Sequence, residues 1–304
     1  MKGRVHLFVA VLGILVSRFE LLGWSGAGHV VIAAEAWREL SPAQKANVTL
    51  LLKSHPDYSK WKSSFAGGSG DLDLPAFVFM RVSTWPDEIR RRGKQHDHPH
   101  WHYIDYPLKP PAFPFEPEPN PDDDALFGID QSEKTLGDRA ASAEERAVAL
   151  SWLIHLIGDL HQPLHCASLF TDSYPTGDRG GNEFFVRPAT RGIKLHSFWD
   201  GLLGTSAKVN SQVAYAIQLQ RDYPRRSLAE LKKPSNPRQW SLEGRQLAIV
   251  KVYLQGRLKG GQNEDHAPPL PDGYGKTAKS IAERQAALAG YRLADEIAKC
   301  LALN

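Results

Sequence analysis

The stretch HLIGDLHQPLH, residues 155–165, places three histidines and one aspartate within eleven positions. His155 and Asp159 are four residues apart, so on a helix both project from the same face. An imidazole and a carboxylate one turn apart can chelate a borderline metal such as zinc. They can also form a plain hydrogen bond or act as an acid–base pair. The stretch alone therefore leaves open a metal site, an acid–base site and a buried helix that carries histidines.

A second pair at the same spacing strengthens the metal interpretation. His196 and Asp200 are four apart in LHSFWDGLLG, which has the pattern of a second helix. His165 lies just beyond Pro163, where the chain can turn its imidazole back towards the first pair. Two pairs and a third histidine together favour a metal site more than any one of them does.

Two further segments place polar side chains beside aromatic ones. Asp87 follows a tryptophan and precedes three arginines in STWPDEIRRR. The segment HDHPHWHYIDY has histidines at positions 96, 98, 100 and 102, and we do not expect all four to be ligands. His102 is distinguished because Tyr103 and Asp105 follow it, as at the entrance to a pocket.

The elements that must position these residues are mainly helices. Apolar periodicity predicts helices over 28–40, 142–162, 195–204 and about 277–302, and Ser41 with Pro42 marks the start of another. The proline-rich stretch 107–124 should form no regular element, and GGNEFFVRP suggests a small β-hairpin arm. The fold class predicted is therefore a single, mainly α-helical (all-α) domain with a possible hairpin.

The N-terminus has the pattern of a secretory signal peptide. A basic start, MKGR, precedes a twelve-residue, mostly apolar stretch that is too short to span a bilayer. We predict a signal peptide over 1–23, a functional domain over 24–304, and a secreted or periplasmic protein without stable membrane association. Residues 24–304 carry 34 basic and 33 acidic side chains, so bulk charge gives no argument for a polyanionic partner.

Three smaller features leave questions open. Cys166 and Cys300 could pair in an exported protein or remain buried thiols. Asn47 begins a glycosylation sequon, which matters only in a eukaryotic secretory pathway. His161 has no assigned ligand role and is predicted to be structural.

Six motifs in order give the sequence a specific resemblance. WSGAGH, STWPDEIR, HYID, HLIGDLHQPLH, GGNEF and LHSFWD resemble the family of secreted, zinc-dependent, single-strand-specific nucleases of fungi and plants. The resemblance runs from Trp24 to about Gly201, and the C-terminal helix also looks like that family's closing helix. It implies a monomeric enzyme of the same helical fold.

The resemblance also implies a site for three zinc ions. The implied ligands are Asp87, His102, His155 and Asp159 for the first zinc, His165, His196 and Asp200 for the second, and Trp24, His29 and Asp159 for the third. Trp24 would bind through its α-amino nitrogen and carbonyl oxygen, which requires cleavage directly after Gly23. Leu21, three residues before that bond, is a departure from the small residue usual there.

The implied activity is hydrolysis of single-stranded DNA and RNA, and also of 3′-nucleotides, to 5′-nucleotides by a metal-bridging hydroxide. Asp87 would orient the attacking oxygen or take its proton, and Arg90 would stabilise charge on the phosphoryl group. Tyr103 would stack on a base, Asp105 would accept hydrogen bonds from its edge, and Asn182 would lie beside the phosphate. An alternative for Tyr103 and Asp105 is that they merely support the metal ligands.

Two other functions compete with this one. A zinc phospholipase C has a similar fold and three-zinc site, but it has glutamate where this chain has Asp200. A secreted zinc-binding protein without activity would not need Arg90 or Tyr103 beside a closed ligand set. The sequence does not indicate a preference between DNA and RNA or a pH optimum.

Overall fold

Helix α7, Ala143–Asp159, runs through the centre of the protein, and every residue from Ala147 to Asp159 is buried. Ser142 caps its N-terminus in a reciprocal capping box with Glu145, and Glu144 and Glu145 lie in its first turn. A helix buried on all sides needs other elements around it. The computed structural model describes residues 24–67, 72–90, 96–110, 122–206 and 208–302. The predicted signal peptide, 1–23, lies outside the described residues.

The described chain is mainly helical, as predicted. Its α-helices are α1 Gly26–Glu39, α2 Pro42–Leu52, α3 Tyr58–Ser64, α4 Leu74–Val82, α5 Trp85–Ile89, α6 Ala125–Gly137, α7 Ala143–Asp159, α8 Leu195–Asp200, α9 Val209–Asp222, α10 Pro237–Leu247 and α11 Tyr274–Ala302. Short 3₁₀ helices cover Pro99–His102, Pro163–Cys166, Gly201–Leu203, Arg225–Ser227, Ala229–Lys232 and Leu254–Gly256, and a π-helical turn covers Ala248–Val252. None of the helices in the described part of the chain has the length and apolar character needed to cross a membrane.

The strands are two-residue elements. Strand β1, Pro107–Leu108, pairs in parallel with β2, Ser168–Leu169. Strand β3, Phe185–Val186, pairs antiparallel with β4, Ile193–Lys194, which confirms the predicted hairpin arm. The prediction that 107–124 contains no regular element is wrong for its first two residues, which form β1. Proline is tolerated there because it is the first residue of the strand. Residues 111–121 of that stretch lie outside the described residues.

The predicted helix over 142–162 ends three residues early, at Asp159. The ring of Pro163 would clash with the carbonyl of the residue four before it, which is Asp159. A 3₁₀ helix, Pro163–Cys166, follows instead, and Gln162 caps it by accepting a hydrogen bond from the Leu164 N–H. The chain therefore turns sharply just where it carries His165.

One continuous apolar core surrounds α7, and α1 packs against α4, α9 and α11 within it. Cys166 and Cys300 are both buried and form no disulfide among the described residues, so of the two alternatives left open by the sequence the structure has the buried thiols. The Cys166 thiol donates to the Leu160 carbonyl. The fold is thus held by packing and hydrogen bonds.

Glu35 is a buried carboxyl group in the α1–α11 interface. Only 1% of the residue is exposed, and neither carboxylate oxygen has a hydrogen-bond partner among the described residues. Gly290 on α11 makes room for it, since a Cβ atom there would lie 2.6 Å from Glu35 Oε2. Burial, and then the nearby charge of Glu39, raises the pKa of Glu35 well above its usual value.

We predict that Glu35→Gln stabilises the protein at pH 8 and has less effect at pH 5. The raised pKa means that the folded state holds a proton that the unfolded state releases above about pH 4.5. Stability is therefore lost as the pH rises from the unfolded pKa through the folded one, and the neutral amide removes that loss. Thermal unfolding at both pH values measures the effect. The exposed Glu144→Gln, which does not act on Glu35, is the control, and an equal shift of Glu35→Gln at both pH values would contradict the prediction.

Candidate metal centre

The nine residues predicted as ligands converge in the interior of the protein. They are Trp24, His29, Asp87, His102, His155, Asp159, His165, His196 and Asp200, and all nine are buried. Eight of them lie in three triplets of potential metal ligands: His29–Asp87–His155, His102–His155–Asp159 and His165–His196–Asp200. We call Asp87, His102, His155 and Asp159 the first group, His165, His196 and Asp200 the second group, and Trp24, His29 and Asp159 the third group. Segments that are far apart in sequence therefore meet at one place.

Helix α7 supplies the centre of the cluster, and the turn after it supplies the next ligand. His155 and Asp159 lie one turn apart at its C-terminal end, with 3.1 Å between His155 Nε2 and Asp159 Oδ2. After the turn at Pro163, His165 lies beside the 99–105 segment. Its Nδ1 donates to the His102 carbonyl at 2.6 Å, and its own carbonyl accepts from the Ile104 N–H at 2.7 Å.

The first group has the dimensions of a tetrahedral site. His102 Nδ1 lies 3.0 Å from His155 Nε2, 3.1 Å from Asp159 Oδ2 and 3.7 Å from Asp87 Oδ1. His155 Nε2 lies 3.6 Å from Asp87 Oδ1. Zinc bonds of about 2.0–2.2 Å would separate tetrahedral ligand atoms by about 3.3–3.6 Å, so the four atoms match the predicted first zinc site in type and spacing.

The second group brings two imidazole lone pairs together. His165 Nδ1 faces the His102 carbonyl and His196 Nδ1 faces the Gly180 carbonyl, each at 2.6 Å. A carbonyl only accepts hydrogen bonds, so both Nδ1 atoms carry protons, and the Nε2 atom of each ring carries a lone pair whenever that ring has a single proton. The two Nε2 atoms lie 3.2 Å apart, and Asp200 Oδ2 lies 3.5 Å from that of His196. Two facing acceptors and a buried carboxylate fit a cation between them.

The third group lies at the start of α1. His29 Nε2 lies 3.3 Å from Asp159 Oδ1, and the His29 ring stacks on the His155 ring at 4.0 Å between centroids. Neither His29 Nε2 nor Asp159 Oδ1 has a hydrogen-bond partner among the described residues, although both atoms are buried. Trp24, five residues before His29 in the chain, is also fully buried. Asp159 thus presents one oxygen to the first group and the other to the third, as the bridging assignment requires.

Gln162 is a residue that the sequence analysis did not identify. Its side chain is fully buried, and its Nε2 donates to Asp200 Oδ1 at 2.8 Å while its Oε1 accepts from the Leu164 N–H at 2.7 Å. The amide therefore occupies one oxygen of Asp200 and leaves Oδ2 directed to His196. Outer hydrogen bonds of this kind orient metal ligands. The glutamine lies inside the motif HLIGDLHQPLH, but nothing in its type marked it as a partner of Asp200.

A second outer contact depends on glycine. Gly180, whose carbonyl accepts from His196, has a φ of +63°. A Cβ atom at Gly180 would lie 2.5 Å from the Leu164 carbonyl oxygen. The glycine therefore allows the 178–182 loop to approach the turn that carries His165.

Burial and charge act against each other throughout the cluster. Burial lowers the pKa of His102 to about 4 and that of His196 to about 3. Burial also opposes protonation of His155, but the carboxylates of Asp159 and Asp87 outweigh it and raise that pKa to about 9. Burial raises the pKa of Asp200 well above its usual range. The cluster thus contains both neutral imidazoles and carboxylates that require a positive partner.

The predicted substrate residues surround the same region. The Arg90 guanidinium donates to the Pro99 carbonyl at 2.8 Å through Nη2, and its charge acts on His102 and Tyr103. Asp105 is half-buried; burial, and then the charge of Asp178, raises its pKa to about 7. Asn182 lies at the second group, where its Nδ2 is 3.3 Å from His196 Nδ1 and donates to the Arg179 carbonyl. Its Oδ1 is buried and has no hydrogen-bond partner among the described residues.

The remaining histidines of the two His-rich motifs make other contacts. His98 stacks on Trp101 with 3.8 Å between centroids, and His100 Nδ1 lies 3.0 Å from Asp123 Oδ1. His161 is buried; its Nδ1 donates to the Ile157 carbonyl, and its Nε2 faces Arg292 Nη1 at 2.9 Å. His96 lies with its ring 6.1 Å from that of Trp85, and none of the four belongs to a potential ligand group within the described residues.

A helical fold that buries three adjoining sets of imidazoles and carboxylates places the chain in the class of proteins with a candidate metal centre in a helical domain. Comparison with known families makes the class specific: the S1/P1 nuclease model matches residues 24–302. The chain therefore belongs to the S1/P1 nuclease family, a class of enzymes that hydrolyse phosphodiester bonds.

Curated relatives carry corresponding names. Endonuclease 4 of Arabidopsis thaliana is 25% identical over 90% of this chain and 87% of its own length. Endonuclease 1 of Arabidopsis thaliana is 28% identical over 63% of this chain and 58% of its own length. Nuclease P1 of Penicillium citrinum is 26% identical over 58% of this chain and 57% of its own length. The latter two matches thus span less than two thirds of those relatives.

We predict that Gln162→Leu weakens metal binding at one of the three ligand groups. Without the amide, Asp200 Oδ1 loses its donor and the carboxylate is free to rotate. Loss of such an outer partner lowers metal affinity roughly 10- to 100-fold. Titration with a zinc chelator, followed by metal analysis, measures the affinity. Gln285→Leu removes another buried glutamine, on α11, and is the control. Unchanged zinc retention in Gln162→Leu would show that the amide does not orient Asp200.

Proposed function

We propose that the chain is a zinc-dependent phosphodiesterase that hydrolyses single-stranded DNA and RNA, and 3′-nucleotides, to 5′-nucleotides. The observation that carries the proposal is the pair of Nε2 lone pairs of His165 and His196, which face each other at 3.2 Å. Facing lone pairs in a buried site are favourable only with positive charge between them, and the buried Asp200 carboxylate beside them favours a metal ion in that place. Family membership supplies the class of reaction.

Zinc is the metal that this donor set favours. Imidazole nitrogens and carboxylate oxygens in a four-atom group of tetrahedral dimensions suit Zn²⁺, whereas sites of oxygen alone suit Mg²⁺ or Ca²⁺. We assign three zinc ions to the ligand sets that the resemblance implied. When bound, zinc lowers the pKa of a coordinated water towards about 7 and stabilises negative charge on a phosphoryl group.

The chain's own residues then divide the remaining work. The Asp87 carboxylate orients the attacking water or accepts its proton, and the Arg90 guanidinium stabilises charge that develops on phosphorus oxygens. Asn182 binds the phosphate beside His196. The bond to the 3′-oxygen breaks, which leaves a 5′-phosphate and a free 3′-hydroxyl.

Single-strand preference follows from the depth of the centre. All nine proposed ligands are buried, so a nucleotide must leave its stack to bring phosphorus close to them. Unstacking and unpairing a base costs a few kcal/mol in a duplex and less in a single strand. In this proposal Tyr103 stacks on that base and Asp105 binds its edge; both residues are half-buried in the segment that follows His102.

We expect zinc-loaded protein to cleave single-stranded DNA and RNA faster than duplex DNA and to leave phosphatidylcholine intact. Asp87→Asn should lower kcat on single strands by roughly 10²–10³-fold, the usual cost of removing a group that acts on the transition state. Initial rates on the four substrates measure this, and the exposed Asp130→Asn is the control. Lipid cleavage without nucleic-acid cleavage would instead indicate a phospholipase C, and three bound zincs without any hydrolysis a zinc-binding protein.

We further propose that residues 1–23 are a signal peptide whose removal creates the third zinc site in a secreted or periplasmic protein. The segment after the proposed cleavage is firmly held. The Ser25 N–H donates to the Asp200 carbonyl at 3.2 Å, and its hydroxyl donates to the Gly204 carbonyl at 2.5 Å. Gly28 packs on Trp24, since a Cβ atom there would lie 2.8 Å from Trp24 Cβ. These contacts support a fixed position for the Trp24 α-nitrogen beside His29.

We therefore expect the secreted chain to begin at Trp24 and to hold three zinc ions. A chain that retains Gly23 has an amide nitrogen in place of the amine and should hold one zinc fewer. Intact-mass and N-terminal analysis, combined with zinc stoichiometry, compares the two forms. Three tightly bound zincs in the Gly23-extended form would rule out the amine as a ligand.

A further inference from the structure

Positive charge is concentrated in one segment of the chain. Residues 221–259 contain ten basic and three acidic side chains, whereas the rest of residues 24–304 contains 24 basic and 30 acidic ones. The near-neutral total therefore hides a segment of net +7 beside a remainder of net −6. A local excess of this size creates a field that attracts polyanions.

Two of the acidic residues of this segment are bound to arginines outside it. Glu243 accepts two hydrogen bonds from Arg292, at 2.7 and 3.0 Å, and Glu230 accepts one from Arg284 at 2.8 Å. Both partners belong to α11. Glu243 therefore does not neutralise its basic neighbours on α10.

Helix α10 exposes a narrow stripe of two arginines with a leucine between them. Trp240, Ser241 and Gly244 are its buried residues. Arg238, Leu242 and Arg245 lie at positions i, i+4 and i+7 of one face, where Arg238 and Leu242 are exposed and Arg245 is half-buried. Leu242 is 46% exposed, and neither arginine forms an ion pair within the described residues. The face therefore combines apolar surface with two cations whose charge no ion pair among the described residues offsets.

A contact between Ser241 and Tyr106 connects the helix that carries the stripe to the proposed base-binding segment, Tyr103–Asp105. The Ser241 hydroxyl is 3.1 Å from the Tyr106 hydroxyl, and Tyr106 follows Asp105 directly. The charge of Arg238 acts on Asp124, and the N–H of the next residue, Ala125, donates to the Tyr103 carbonyl. The helix is therefore adjacent to the segment that carries Tyr103 and Asp105.

The other end of α10 lies against the turn that carries a ligand. A Cβ atom at Gly244 would lie 2.7 Å from Cys166 Sγ, and Cys166 follows His165. Arg238 and Arg245 are seven residues apart, which corresponds to about 10 Å along the helix axis. That distance matches a few nucleotides of a stacked strand, which rises about 3.4 Å per nucleotide.

We propose that Arg238, Leu242 and Arg245 form a track on α10 that binds the single-stranded nucleic acid beyond the nucleotide held at the metal centre. The proposal rests on the proposed function. The guanidinium groups bind phosphates about three nucleotides apart, and Leu242 offers apolar surface to a base between them. The partner is a strand of several nucleotides, since a dinucleotide bound at the metals is too short to reach along the helix.

The test compares long and short substrates of the zinc-loaded, secreted protein. The substrates are an oligothymidylate of about 15 nucleotides and the dinucleotide of the same base. In Arg238→Gln/Arg245→Gln we expect kcat/KM for the oligonucleotide to fall roughly tenfold at low salt, with little change for the dinucleotide. The slope of log kcat/KM against log salt should fall by about 1.4, as for two lost single-strand phosphate contacts.

The matched control is Arg221→Gln/Arg226→Gln, which removes the same charge from exposed positions of the same segment. An equal loss in the control, or an equal loss on the dinucleotide, would overturn the track. If wild type cleaves neither substrate, the proposed function fails instead, and binding of fluorescent oligonucleotide in chelator then tests the track separately. Arginine-dependent binding of phosphatidylserine vesicles without oligonucleotide binding would assign the surface to a membrane and also overturn the proposal.

Discussion

The fold depends on one constraint: a cluster of imidazole lone pairs and carboxylates lies in an apolar interior. His155 and Asp159 are fully buried at the end of a helix that is itself buried along thirteen residues. Separating such groups from water is costly unless a partner of opposite charge compensates. The elements around α7 therefore exclude water from the site and also deliver its other ligands. The same helices and loops therefore both pack around α7 and supply the ligands for the proposed metal binding.

Backbone carbonyls, more than side chains, set the orientation of the imidazoles. His155, His165 and His196 each direct Nδ1 at a carbonyl, those of Ser83, His102 and Gly180. Each contact fixes the proton on Nδ1 and leaves Nε2 free for a cation. Since these carbonyls lie on three different segments, a shift in any one segment would misdirect a ligand. This explains why the loop at Gly180 requires a glycine with positive φ.

Those parts of the structure that have a local sequence pattern could be predicted from the sequence. The serine cap and apolar stripe of α7, the paired spacings of His155–Asp159 and His196–Asp200, and the hairpin arm all depend on neighbouring residues. The sequence did not predict α9 or α10, where polar residues interrupt the apolar pattern. It also missed Gln162 and the carbonyl of Ser83, because their roles come from long-range contacts that residue type does not encode. The ligand sets needed several motifs in one order, since each pair alone is common.

The cost of burying charged groups also affects the proposed base-binding segment, which lies outside the set of metal ligands. Asp178 is fully buried, accepts from the Tyr253 hydroxyl at 2.6 Å and from the Leu169 N–H at 2.8 Å, and so retains much of its charge. Burial and that charge together raise the pKa of Asp105 to about 7. Near neutral pH the Asp105 carboxyl therefore exists in two forms. The protonated form donates and accepts hydrogen bonds, whereas the ionised form only accepts them. Bases differ in the donors and acceptors on their edges, so a group that offers both patterns can bind several of them. For the proposed role in nuclease action, such a group suits a site that must accept every base of a strand.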